Sequence, residues 1–205
     1  MKIQIDLKII FLFIFYLILR QVEMYCLFLI FITIHELAHT FVGILFKFKP
    51  QSIEIRPFGL ALNFYSFSEA KPIKKIITYL AGPLSNFILA IAIYFCKIDN
   101  NLKIYSIYIN IALGIFNLLP ILPLDGGKIL KELLKKKIGY KRAYKEMELI
   151  GKITLVLITL IYSILILEIK NLGILFIIIY LWYLKKVEDR KARTIIRMYD
   201  ILEKI

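Results

Sequence analysis

Two histidines and a glutamate stand within five consecutive residues of this chain, at positions 35, 36 and 39. If the segment is helical, His35 and His39 lie one turn apart on the same face, because four residues make little more than one turn. Two imidazoles in that arrangement can bind one metal ion, and Glu36 is then close enough to act on a water molecule held there. The spacing therefore predicts a metal site with a neighbouring general base.

The sequence around this motif favours the metal interpretation. Residues 24–46 form an apolar run long enough to cross a bilayer as a helix, and the two histidines of the chain both lie in it. An ionisable residue deep inside such a run is costly to place and is a functional candidate for that reason. The alternative is that these side chains only hydrogen-bond a neighbouring helix. Two histidines and a glutamate in this register favour metal chemistry over that role.

A third metal ligand is expected at Asp125. The stretch 117–127 reads Asn-Leu-Leu-Pro-Ile-Leu-Pro-Leu-Asp-Gly-Gly, in which the prolines end a helix and the paired glycines permit a sharp turn. An Asp before two glycines is often only a turn residue. A catalytic zinc, however, takes three protein ligands and keeps one position open for water. Because the chain has no further histidine, Asp125 is the best candidate for the third ligand.

The hydrophobic composition predicts an all-α polytopic membrane protein with about six transmembrane helices. Apolar residues make up 60% of the 205 residues and the mean hydropathy is +0.76, whereas soluble domains are about 45–50% apolar. The first apolar stretch reads as a retained span and not as a signal peptide, because no small-residue cleavage site follows it. The predicted spans are residues 7–19, 24–46, 73–96, 104–119, 149–167 and 172–184.

The distribution of charge predicts the topology. The net charge of +13 would suit a nucleic-acid-binding protein, but most lysines and arginines fall in the segments that share one side of the membrane. With that side inside, both termini are cytoplasmic in a bacterial inner membrane, and no nucleic acid is expected as a partner. Lys135, Lys136 and Lys137 predict a contact with anionic lipid. Residues 1–184 are then the six-span domain and residues 185–205 a cytoplasmic amphipathic tail.

The segment between the second and third spans has a different pattern. Residues 52–56 alternate between polar and apolar, residues 57–59 read Pro-Phe-Gly, and residues 60–65 alternate loosely again. This predicts a small membrane-associated β-hairpin, or a loop that dips into the membrane, whose open edge could accept a peptide as a further strand. An amphipathic surface loop is the alternative.

The third predicted span carries the run Gly82-Pro83-Leu84-Ser85-Asn86. Gly82 permits close approach of another helix. Asn86 lies on the same face one turn later and can hydrogen-bond across the bundle, either for packing or for function.

Taken in this order, three motifs resemble the site-2 protease family of intramembrane zinc metalloproteases, and within it the branch that contains stage IV sporulation protein FB. They are HELAH at 35–39, GPLSN at 82–86 and NLLPILPLDGG at 117–127. The resemblance implies that His35, His39 and Asp125 bind one Zn²⁺ per chain and that Glu36 activates water.

The resemblance also implies where a substrate is held. Asn117 and Asn86 would contact the substrate or support the site, and residues 53–65, including Gly59, would match a hairpin beside the active site. Members of this branch often carry a C-terminal CBS domain, and relatives in envelope stress carry a PDZ domain. The sequence shows neither, which argues against nucleotide control and against the envelope-stress branch. Inhibitory membrane proteins are expected as further partners.

The expected reaction is hydrolysis of a peptide bond in a membrane-associated protein substrate, with a pro-sigma factor of sporulation expected from the resemblance. Other regulated intramembrane proteolysis is the alternative substrate class, with an anti-sigma factor or a signal-peptide remnant as the target. A membrane zinc carrier and a non-catalytic zinc-binding scaffold are the rival functions. Glu36 discriminates between these classes, because a carrier or scaffold has no need of a general base beside the ligands.

Overall fold

The computed structural model describes residues 2–5, 22–56, 59–65, 67–169 and 172–202. The first predicted span, residues 7–19, lies outside these residues. Within them the chain forms three strands, six helices and a short 3₁₀ helix at Phe67–Glu69. The elements are β1 (Lys2–Ile5), α1 (Val22–Leu45), β2 (Pro50–Arg56), β3 (Gly59–Phe64), α2 (Pro72–Phe95), α3 (Asn100–Asn117), α4 (Asp125–Ile138), α5 (Tyr140–Ile169) and α6 (Leu172–Leu202).

Three described helices are long and apolar enough to cross a membrane: Val22–Leu45, Pro72–Phe95 and residues Tyr140–Ile164 of α5. Large apolar side chains on their outer faces are exposed, such as Phe41 and Ile88, as expected for contact with lipid. The structure is therefore that of a mostly helical membrane protein. The count of six spans stays a prediction.

The described chain separates into two compact units, residues 1–117 and 118–205. In the first unit, α2 packs against α1 and α3. The buried side chains of Phe31, Ile32 and Leu113 form its apolar core. This packing places the central turns of α1, which carry the histidines, against α2.

A three-stranded sheet follows α1 in the first unit. Strands β2 and β3 pair antiparallel, with Ile53 opposite Leu62, and β1 lies parallel to β2 on its other side. Residues 2–5 thus form a strand, and their alternation of polar and apolar residues has the period of a strand. Among the described strands β3 is at the edge of the sheet.

Aromatic contacts attach this sheet to the end of α1. A Cβ at Gly43 would lie 2.3 Å from Cζ of Phe64, so the absent side chain makes room for that ring. The rings of Phe48, Phe64 and Phe67 then pack together with centroids 5.1–6.0 Å apart. The hydrophobic contact fixes the sheet beside the last turn of the helix.

The second unit contains α4, α5 and α6. Helix α4 begins at Asp125, so Gly126 and Gly127 lie in its first turn and do not form the sharp turn that the sequence suggested. A Cβ at Gly126 would lie 2.0 Å from the carbonyl oxygen of Leu118, and one at Gly127 would lie 2.5 Å from that of Ile121. The glycines therefore allow the preceding loop to pass against the helix.

The last helix of the second unit runs without a break from Leu172 to Leu202. Its polar half is tied to α5 by ion pairs between Arg193 and Glu148 and between Lys141 and Asp200. Residues 185–202 thus continue the helix that begins with the predicted sixth span.

Candidate metal centre

The histidine pair lies on one face of α1, as its spacing predicts. The Nε2 atoms of His35 and His39 are 3.1 Å apart, and the two rings meet edge to face with centroids 4.7 Å apart. His35 is 1% exposed. Two zinc–nitrogen bonds of about 2.0–2.1 Å at a tetrahedral angle would place the nitrogens ~3.3 Å apart. The observed spacing therefore fits two ligands of one ion.

A backbone carbonyl orients the second histidine. Nδ1–H of His39 donates a hydrogen bond of 2.7 Å to the carbonyl oxygen of Thr78 on α2. This bond assigns the proton to Nδ1 and leaves the lone pair of Nε2 for a metal, which is the usual arrangement around ligating histidines. Sequence reasoning missed Thr78, since the acceptor is a main-chain atom that any residue type would supply.

Gly82 on α2 closes the site from the opposite side. A Cβ at this position would lie 2.3 Å from Nε2 of His39 and 2.5 Å from Nε2 of His35. The predicted close approach of helices at Gly82 is confirmed. The contact is with both expected ligand atoms, so any larger residue would occupy the space that an ion would need.

Glu36 follows His35 on α1 and is half-buried. A carboxylate next to a buried imidazole, in a partly shielded environment, is suited to accept and return a proton.

Asp125 is 4% exposed and begins helix α4, where Nζ of Lys128 donates to its Oδ1 at 3.0 Å. The helix N-terminus and the ammonium group both stabilise its ionised form. Asp125 is the third expected ligand, in the second unit, whereas the two histidines lie in the first. Two imidazoles and one carboxylate are a donor set typical of catalytic zinc.

The remaining predicted residues lie on several elements. Asn86 is fully buried on α2, one turn after Gly82, and neither atom of its amide has a hydrogen-bond partner among the described residues. Asn117 is the last residue of α3, where its Nδ2 donates to the carbonyl of Leu113 at 3.1 Å. Gly59 begins β3 opposite Arg56. Their roles toward a substrate stay predictions.

One buried amide was not singled out from the sequence. Asn110 of α3 is fully buried, and its Nδ2 donates to the carbonyl of Ser106 at 2.9 Å, while its Oδ1 has no partner in the described part of the chain. Its signal in the sequence is an amide inside the apolar run 104–119, which is costly unless it is hydrogen-bonded.

The chain is similar to known membrane proteases. Residues 24–101 and 97–161 match the model of Peptidase family M50. A zinc metalloprotease of Methanocaldococcus jannaschii is 33% identical over 65% of this chain and 40% of its own length. Stage IV sporulation protein FB of Bacillus subtilis is 29% identical over 58% of this chain and 43% of its own length. The chain thus spans less than half the length of these two relatives.

A solved structure is also similar. The site-2 protease from Methanocaldococcus jannaschii superposes with a TM-score of 0.69 at 25% identity, over 91% of this chain and 90% of that chain. The family implies zinc, and the histidine pair with Asp125 offers ligands for it. The family match extends over well more than half of the chain, and the chain belongs to peptidase family M50, the family of the site-2 proteases.

Proposed function

We propose that this chain is an intramembrane zinc metalloprotease that hydrolyses a peptide bond of a membrane-associated protein. The observation that carries the proposal is the histidine pair, whose Nε2 atoms lie 3.1 Å apart beside the bare Cα of Gly82. The missing side chain of Gly82 leaves space beside both nitrogens, as two ligands of one ion require. Two relatives bear the names of a zinc metalloprotease and a site-2 protease, which supports the same reaction.

His35, His39 and Asp125 would hold one zinc ion per chain. When bound, zinc supplies Lewis acidity, which makes water a better nucleophile at neutral pH and polarises a carbonyl group. The hydrogen bond from His39 to Thr78 holds that imidazole in the ligating tautomer.

Glu36 is the proposed general base and acid. Its carboxylate takes a proton from the attacking water and then delivers that proton to the amine that leaves the cleaved peptide bond. The half-buried position of Glu36 keeps this proton from exchanging freely with solvent during transfer.

The substrate is proposed to bind in extended form along the edge of β3, near Gly59. The hydrogen-bonding groups of an edge strand can pair with a further strand, and an extended peptide exposes its carbonyl groups, whereas a helix keeps them hydrogen-bonded. Asn86 and Asn117 are proposed to hold this peptide or support the site. The hairpin is proposed to be membrane-associated, in a six-span protein of a bacterial inner membrane with both termini cytoplasmic.

We favour a pro-sigma factor of sporulation as the substrate, and inhibitory membrane proteins as further partners. Support comes from the similarity to a relative named as a sporulation protein. An anti-sigma factor or a signal-peptide remnant is the alternative. Co-expression of this chain with a candidate pro-sigma factor tests the choice. Processing should depend on Glu36, and changes that stabilise a helix at the cut site should block it. Unchanged cleavage after such changes would contradict binding in extended form.

The central test is Glu36→Gln in the full chain, reconstituted with a membrane-associated substrate. We expect cleavage to fall about 100- to 10,000-fold, because the variant keeps the shape of the side chain and loses the base. Zinc content by elemental mass spectrometry should stay at one ion per chain, since Glu36 is not a proposed ligand. Glu23→Gln is the matched control, as Glu23 is an exposed carboxylate in the first turn of the same helix. Full activity of Glu36→Gln would exclude the mechanism.

A further inference from the structure

A cavity of about 460 Å³ lies beyond the end of α1 in the first unit. Its volume is within the ~300–1,000 Å³ typical of small-molecule sites. The loop after α1, the residue after β3 and the 3₁₀ helix before α2 line this cavity, which is open to the surface. The lining residues are Lys47, Phe48, Lys49, Tyr65, Glu69 and Ala70.

The apolar helices beside the cavity indicate that it lies at the level of lipid head groups. One apolar helix, Val22–Leu45, ends two residues before Lys47, and another, Pro72–Phe95, begins two residues after Ala70. The two helices pack against each other, so their apolar parts end at the same level. The aromatic ring of Tyr65 is exposed beside the cavity, as aromatic residues often are at the boundary between acyl chains and water.

The charges of the lining favour an anion. Lys47 and Lys49 are exposed and contribute two ammonium groups, against the single carboxylate of Glu69. Phe48 provides an apolar wall because its ring packs against Phe67. A basic opening beside an apolar wall suits a group that is charged at one end and apolar at the other.

The backbone at Lys47 has an unusual conformation for a residue with a side chain. Lys47 has φ of 63°, in the left-handed region where glycine is usual. N–H of Phe48 donates to the carbonyl of Gly43 at 3.0 Å, and N–H of Lys47 donates to that of Ile44 at 2.8 Å. These two bonds form the common helix ending in which glycine occupies the position of Lys47. A lysine here strains the backbone, and such strain is typical of functional positions.

We propose that this cavity binds the head group of an anionic phospholipid, with Lys47 and Lys49 on its phosphate and the lipid chains along the apolar faces of α1 and α2. A lipid is the source we favour over a free phosphate, because the cavity lies at the level where lipid phosphates are concentrated. The residues of this site differ from those of the lipid contact predicted at Lys135, Lys136 and Lys137. In that predicted contact, Lys135 forms an ion pair with Glu132, while Lys136 and Lys137 are exposed.

The test compares lipid binding to purified full-length protein by native mass spectrometry, with phosphatidylglycerol and phosphatidylcholine as probes. The variant is Lys47→Gly combined with Lys49→Gln. It removes both charges, and the glycine relieves the strained backbone, so the chain keeps its fold. We expect wild type to prefer phosphatidylglycerol, and the variant to bind it about 10- to 30-fold more weakly. The charge-matched control, Lys97→Gln with Lys103→Gln beyond the other end of α2, should bind as wild type does.

Three outcomes would overturn the proposal. The first is equal binding of phosphatidylglycerol by the variant and wild type. The second is displacement of the lipid by millimolar inorganic phosphate, which would assign the cavity to a soluble anion. The third is displacement by an acidic peptide, which would assign it to a protein partner.

Discussion

The two compact units bury polar side chains in different ways. Between the helices of the first unit lie the fully buried amides of Asn86 and Asn110, each with at least one atom that has no hydrogen-bond partner among the described residues. In the second unit, buried polar groups are ions held in pairs, such as Glu132 with Lys135 at 3.0 Å and Lys185 with Asp189 at 2.5 Å.

This difference separates stabilisation from the capacity to bind. A buried ion that is paired and hydrogen-bonded has its bonding capacity filled, and breaking the pair costs folding free energy. A buried amide without a partner lowers the free energy of unfolding, yet it keeps donors and acceptors that a ligand can use. We therefore expect substitutions of these two amides to change function more than stability, and substitutions of Glu132 or Lys185 to do the reverse.

The largest effect is expected from Gly82→Ala in the first unit. The added Cβ would fall 2.3 Å and 2.5 Å from the two histidine Nε2 atoms, so the imidazoles must separate and zinc content should fall at least about tenfold, with cleavage activity. Helical content by circular dichroism should not change, because alanine favours a helix. Zinc per chain by elemental mass spectrometry is the measurement.

The matched control for this experiment is Gly114→Ala on α3. Its Cβ would meet only the far end of the Phe87 ring, at 2.8 Å, and that side chain can turn away. This variant should keep its zinc. Full zinc occupancy in Gly82→Ala would show that the ion is held elsewhere.

The largest effect on stability is expected at Lys131 in the second unit. Burial, with Lys135 beside it, lowers the pKa of Lys131 from 10.5 to about 8; Lys128 acts in the same direction, while Glu132 and Glu188 oppose it. The ring of Tyr144 from α5 also faces the ammonium, at 5.5 Å. Below pH 8 the folded state keeps the buried ammonium of Lys131 charged, which lowers the free energy of unfolding. Between pH 8 and 10.5 the folded chain has released a proton that the unfolded chain keeps, so the free energy of unfolding rises with pH.

Lys131→Met should remove that cost. At pH 7 we expect the free energy of unfolding to rise by about 2–3 kcal/mol, reduced by the free energy of the lost contact with Tyr144. Near pH 10 this gain should disappear. Thermal unfolding in detergent at several pH values measures it. Lys136→Met, an exposed lysine of the same helix, is the control and should change little. A gain that does not depend on pH would mean that burial of the charge is not its cause.

Local geometry made part of the site predictable from sequence. The shared face of His35 and His39 depends only on the period of one helix, and the structure places their nitrogens 3.1 Å apart. The close approach at Gly82 was predictable because a glycine in an apolar helix has few other uses. The strand Lys2–Ile5 was not, since its partner β2 begins 45 residues later in the sequence order and the pairing is non-local.

The same limit explains the misread glycines after Asp125. A pair of glycines in sequence indicates a turn, but here they lie in a helix because the loop 118–122 crosses its first turn. That crossing is a tertiary contact. Likewise the carbonyl of Thr78 that orients His39 has no signature in the sequence, since every residue carries one.

A smaller effect is expected from Asn86→Leu. Replacing an amide that lacks a partner with an apolar side chain of similar size should raise the free energy of unfolding by about 1 kcal/mol, while cleavage falls if the amide holds substrate. Asn110→Leu is the comparison, because it also breaks the bond to Ser106 and should gain less. Thermal unfolding and cleavage are measured on both variants. Loss of stability together with activity in Asn86→Leu would make Asn86 a packing residue.

The smallest effect concerns two helix ends that differ in one residue. Helix α1 of the first unit is followed by Lys47 with φ of 63°, whereas α4 of the second unit is followed by Gly139 with φ of 82°. Left-handed backbone strains a residue with a Cβ, so Lys47→Gly should raise the free energy of unfolding by about 0.5–1 kcal/mol, and Lys47→Ala should not. Gly139→Ala should lower it by a similar amount or more. An added Cβ there meets no heavy atom of the described residues within 4 Å, so backbone strain is its main cost.

Chemical denaturation of the three variants measures these differences. If Lys47→Gly and Lys47→Ala were equally stable, the lysine would not be strained, and the contrast between a helix end kept for binding and one kept for stability would fail.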